Sequence, residues 1–197
     1  MLLSEAQRDA LGVALNEATL LGVEMQPSTC RAAATFSVLA LPEGDGPAAQ
    51  DRRVQFVFER VGRVATSLRP GNWDDPDAQP IPFAVEELLR VVRSFGGLPI
   101  YGWEFFDIAD AELARWGRRL SLDWRGECGG VEHSLCLFQE GHDRYLDLCL
   151  WFDSFVIRDP AGREIGLKEF TEAGQRWWEA FHNHDPRTFG SGMAPLG

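Results

Sequence analysis

The stretch from Glu132 to Asp153, "EHSLCLFQEGHDRYLDLCLWFD", constrains the fold more than any other part of the chain. Apolar and other residues alternate on both sides of a short turn sequence, and a period of two fits a strand rather than a helix. The turn falls in "EGHD", where Gly141 can take a positive φ. Centring it on Gly141 and His142 pairs Leu137 with Leu146, Leu135 with Leu148 and His133 with Leu150. The other face then pairs Phe138 with Tyr145, Cys136 with Asp147 and Ser134 with Cys149. This register gathers leucines on one side, as a half-buried hairpin requires.

Two consequences concern chemistry. Residues three apart on a strand face opposite ways, so His133 and Cys136 are not expected to share a metal ion. Cys136 and Cys149 share a face but sit diagonally, roughly 7–8 Å apart and beyond disulfide reach. Cys128 precedes two glycines in "GECGGV", and no C-x-x-C spacing occurs anywhere. No metal site and no cofactor is therefore expected. A Cys128 nucleophile would need a base beside it, and the nearness of His133 in sequence does not supply one.

Elsewhere the patterns alternate between helix and strand. Ser4 and Gln7 read as a capping box, and Leu11, Leu15, Ala18 and Leu21 follow on one helical face up to Gly22. Residues 36–41 read as a strand, as do 54–58 and 64–68, with Gly62 marking a turn. "FAVEELLRVVRSFGG" is the clearest amphipathic helix, with Gly96 at its C-cap. "IYGWEFFD" and "RLSLDWR" read as strands around a short helix, "SFVIRDPAGREI" as a hairpin, and "LKEFTEAGQRWWEAFHNH" as the closing helix. The strands cluster in hairpins. The expected fold is α+β: one domain over 1–185, a mainly antiparallel sheet with N-terminal, central and C-terminal helices packed on it, and a loose tail over 186–197.

The net charge of −11 opposes nucleic acid and anionic membrane surfaces, despite the local arginines of Arg115 to Arg125. Lys168 is the only lysine, a bias that reads as GC-rich coding DNA. "HNH" at His182 to His184 is not a nuclease signature, since histidines two apart on a helix point nearly opposite ways. No stretch of about 18 apolar residues occurs, and "MLLSEAQRDALG" lacks the basic start of a secretion signal. These features predict a cytoplasmic protein with reduced thiols.

No nucleophile elbow, phosphate loop or dinucleotide fingerprint is present. What stands out is carboxylates among aromatics: Glu104 and Asp107 in "GWEFFD", and Asp147 between Tyr145 and Trp151. Such a carboxylate either has a raised pKa in a cleft, or pairs with an arginine, or faces water. The leading expectation is a non-catalytic acidic binding or regulatory protein. It would dock on a basic protein, in the manner of an inhibitor or immunity factor, with Trp73 or Trp151 in its contact patch. The candidate binding residues are Trp73, Glu104, Asp107, Tyr145, Asp147 and Trp151. The alternative is a small hydrolase or small-molecule-binding enzyme using these carboxylates or Cys128 in an aromatic cleft. A homo-oligomer with no ligand is a third reading.

Overall fold

A computed structural model describes residues 3–72, 75, 77–100, 104–108 and 119–189. It shows a single-domain α+β arrangement with two antiparallel sheets. The elements run α1 (Glu5–Leu15), β1 (Thr19–Gln26), β2 (Arg31–Ser37), β3 (Arg53–Glu59), β4 (Arg63–Pro70), α2 (Leu88–Arg93), β5 (Leu122–Arg125), β6 (His133–Glu140), β7 (Arg144–Phe152), β8 (Ser154–Arg158), β9 (Glu164–Ile165) and α3 (Leu167–His182). One sheet has the order β1-β2-β3-β8-β9 and the other β5-β4-β7-β6. The expected short helix over 110–117 lies outside the described residues, as do 101–103 of the strand expected over 100–107; the described part of that stretch makes only an isolated bridge, Phe106 to Leu135.

The sheets share a bend. β3 runs into β4 through Arg60–Gly62, and β7 runs into β8 through Asp153. The two crossings lie side by side, tied by Gly62 N–H to the Trp151 carbonyl (2.9 Å) and Asp153 N–H to the Glu59 carbonyl (3.2 Å). Leu146, Leu148 and Leu150 of β7 join Val54, Phe56 and Phe58 of β3 in one continuous core. Phe170 of α3 enters that core edge-on to Phe56, centroids 5.4 Å apart. Further along α3, Trp177 and Phe181 bury Leu39 and Leu41 in a second cluster. Gly174 lets α3 close on α1, since a Cβ there would stand 2.7 Å from the Ala14 Cα.

Three expectations are corrected. The first helix stops at Leu15, and Thr19–Gln26 form β1 instead of its last turn. Glu17 adopts a φ of +58° after the helix, and pairing with β2 outweighs the helical spacing of Ala18 and Leu21. The strand expected over 36–41 overlaps β2 only at Phe36 and Ser37, because β2 starts at Arg31 and ends at Ser37. After Ser37 the chain leaves the sheet, and Leu41 N–H donates to the Ala173 carbonyl of α3 at 3.0 Å.

The third correction is the hairpin register. The turn is centred on His142 and Asp143, with Gly141 N–H donating to the Arg144 carbonyl at 2.7 Å. Leu137 faces Leu148, Leu135 faces Leu150 and His133 faces Phe152. A slip of two residues leaves every side chain on its expected face, so gathering the leucines could not tell the registers apart. Gly141 serves close approach rather than positive φ: a Cβ there would lie 3.2 Å from the Phe95 ring. Past Asp185, Pro186–Thr188 form one 3-10 turn capped by the Asp185 carboxylate, and Thr188 is buried.

Candidate functional site

The corrected register places Cys136 directly opposite Cys149, Cα atoms 4.2 Å apart, and the pair forms a disulfide. A second disulfide joins Cys30 to Cys128, Cα atoms 6.3 Å apart. The expectation of reduced thiols, with Cys136 and Cys149 out of reach, is overturned, and Cys128 is no free nucleophile. The separation of His133 from Cys136 does hold: His133 lies on the core face of β6 with Leu135, and Cys136 on the other.

The Cys30–Cys128 bond fixes a loop, residues 126–132, against the bend at Arg60–Gly62. Cys30 and Arg60 both occupy the left-handed region, at φ +49° and +53°. Here the backbones touch. A Cβ on Gly130 would fall 1.5 Å from the Arg60 carbonyl oxygen, and one on Gly62 2.2 Å from that of Gly130. Asp153 completes the clamp, accepting from Val131 N–H at 3.1 Å and pairing with Arg60 at 2.6 Å.

Beside this clamp opens a cleft of about 910 Å³. One wall is a row across the outer face of the second sheet: Arg125 of β5, Arg63 of β4, Trp151 of β7 and Ser134 of β6. The Arg63 guanidinium lies 4.9 Å from the centroid of the Trp151 ring. Asp123, one row along, accepts from Arg63 Nε at 2.6 Å and meets Arg125 at 3.3 Å. Its partly buried carboxyl is held below the usual range: burial alone would raise it, and the two guanidiniums overcome that. Arg8 of α1 lines the mouth and makes no ion pair among the described residues. Val131, 67 % exposed, stands on the rim.

The other wall holds an Asp–His pair. Phe105 to Asp107 run beside β6: Cys136 N–H donates to the Phe105 carbonyl at 2.8 Å, and Asp107 N–H to that of Ser134 at 2.9 Å. Asp107, at φ +54°, turns its carboxylate back to accept from Ser134 N–H at 2.9 Å and to lie 3.1 Å from Nδ1 of His133. A carboxylate can only accept, so Nδ1 carries the proton. His133 is buried against Phe152, ring centroids 5.9 Å apart.

No protein-family model matches this chain, no curated protein matches its sequence, and no solved structure matches its fold. The reading of the cleft therefore rests on its own geometry.

Of the residues singled out in sequence, Asp107 and Trp151 lie in the cleft. Asp147 and Tyr145 lie further along the same outer face, where Arg69 pairs with Asp147 at 2.7 Å and its guanidinium sits 4.2 Å from the Tyr145 centroid. Burial raises the Tyr145 phenol above its ordinary range, with Arg69 pulling against it. Glu104 is exposed, and Trp73 lies outside the described residues. The arginines of the row and the His133–Asp107 pair were not singled out. Their placement depends on which strands become neighbours, and no local spacing encodes that.

Proposed function

We propose that the protein is a non-catalytic binding protein that docks on a protein partner through the mouth of this cleft. Val131 carries the reading. It is a large apolar side chain, two-thirds exposed, on a loop clamped by a disulfide, by Asp153 and by backbone-tight glycines. Such a loop loses little conformational freedom on association. Trp151 behind it offers an aromatic surface, and Arg63, Arg125 and Glu132 supply a polar surround. The net charge of −11 favours encounter with a basic partner, and an inhibitor or immunity-like role is one form this takes. The two disulfides fit an oxidising compartment better than the cytoplasm expected from the sequence. No helix among the described residues is long and apolar enough to cross a membrane.

A second reading, a small-molecule-binding enzyme or hydrolase, draws on the Asp107–His133 hydrogen bond in the cleft wall. Affinity capture with the wild type and Val131→Asp as baits separates the two. The docking reading predicts a protein retained by the wild type and lost with the variant, the two baits melting at the same temperature. Equal capture by both contradicts it, as does no capture combined with marked stabilisation by a metabolite.

A further inference from the structure

We propose that the cleft takes a carboxylate joined closely to an apolar side chain, supplied by the carboxy-terminal residue of the docked partner. The inference rests on the docking reading and adds the chemistry of the segment that enters.

The guanidiniums of the row outnumber their carboxylate. Arg63 and Arg125 share the single carboxylate of Asp123, and the only described side-chain bond of Arg63 uses its Nε. A guanidinium has five donors in a planar fork suited to a carboxylate. Arg8 adds a third cation at the mouth. Of the acids in the lining, Asp107 is turned onto His133 and the Ser134 amide, and Glu132 is exposed. The wall therefore retains donors for an incoming anion.

The apolar requirement comes from the spacing of the row. Trp151 is the direct cross-strand neighbour of Arg63, one strand separation away, about 4.8 Å. Val131 and Ile108 also line the cleft. A ligand reaching both must hold its carboxylate and its apolar group a few ångströms apart. An apolar carboxy-terminal residue does so, because both groups stem from one carbon.

The test titrates the intact, oxidised protein with N-acetyl-Leu-Phe bearing a free carboxylate, with its carboxamide, and with phenylacetate, following the Trp151 indole N–H by NMR. The proposal predicts that the free acid shifts this resonance saturably and binds at least about tenfold more tightly than the amide and than phenylacetate. Arg125→Gln should remove most of the preference for acid over amide; its side chain is 69 % exposed and its pair with Asp123 lies at the surface, so the variant should melt within about a degree of the wild type. Acid and amide binding alike, or no shift at Trp151, overturns the proposal. Phenylacetate binding as well as the dipeptide overturns the chain-terminus assignment in favour of a free aromatic acid. If Val131→Asp abolishes capture while acid and amide bind alike, docking stands and the carboxylate falls. Acid-selective binding with capture indifferent to Val131→Asp gives the reverse.

Discussion

Arg69 and Asp147 meet with side chains only 10 % and 15 % exposed, beneath the ring of the buried Tyr145. Removing one member of a buried pair leaves the other charge in low dielectric, which costs about 3–5 kcal/mol. Asp147→Ala should therefore lower unfolding free energy by about 3 kcal/mol, read from the urea midpoint at unchanged slope. Replacing both residues by apolar ones of similar size should cost far less. Asp51 makes the contrasting case at the surface. The Arg53 side chain and backbone N–H hold its carboxyl at about 2, against a desolvation that would raise it. Its contribution is present above the ordinary carboxylate range and is lost as pH falls towards 2. In a carboxyl NMR titration Asp51 should titrate near 2 in the wild type and return towards about 4 in Arg53→Gln.

At the scale of elements, the loop 126–132 and the bend at Arg60–Gly62 depend on glycine at particular places. Gly130→Ala should cost about 3 kcal/mol or more, because the new Cβ meets the Arg60 carbonyl with no flexible side chain to yield. Gly129, at φ +66° with open space around it, is the control. Gly129→Ala should cost only about 1 kcal/mol of backbone strain, and a urea series on the two variants checks the ordering. The closing helix, the Ser4–Gln7 capping box and the Asp159–Gly162 turn were legible because their signals are local. β1 was not, since Ala18 and Leu21 fit a helix until β2 pairs with the segment. The register of β6 on β7 was legible only up to parity. Alternation states which face a side chain takes, and two registers two residues apart meet that condition equally.

Across the whole molecule, one disulfide joins parts far apart in sequence, while Cys136–Cys149 staples a single hairpin across 13 residues. Cys30–Cys128 spans 98 residues, a loop long enough to lower the entropy of the unfolded chain by an equivalent of about 5 kcal/mol. It also ties the first sheet to the loop that carries Val131. The double variant Cys30→Ser/Cys128→Ser should lose about 4 kcal/mol of stability and bind the partner more weakly, because the loop must then be ordered on contact. The α+β class was legible from the clustering of strand patterns in hairpins. The cleft was not, because Arg8, Arg63, Arg125 and Trp151 come from four elements that only the completed fold brings together. The cysteine pairing tests both the register and the clamp on which this account depends. Alkylating the natively folded protein without reductant, then mapping its peptides by mass spectrometry, should find no labelled cysteine and two cross-linked pairs, Cys30 with Cys128 and Cys136 with Cys149. Four labelled thiols, or Cys136 linked to Cys30 or Cys128, would contradict it.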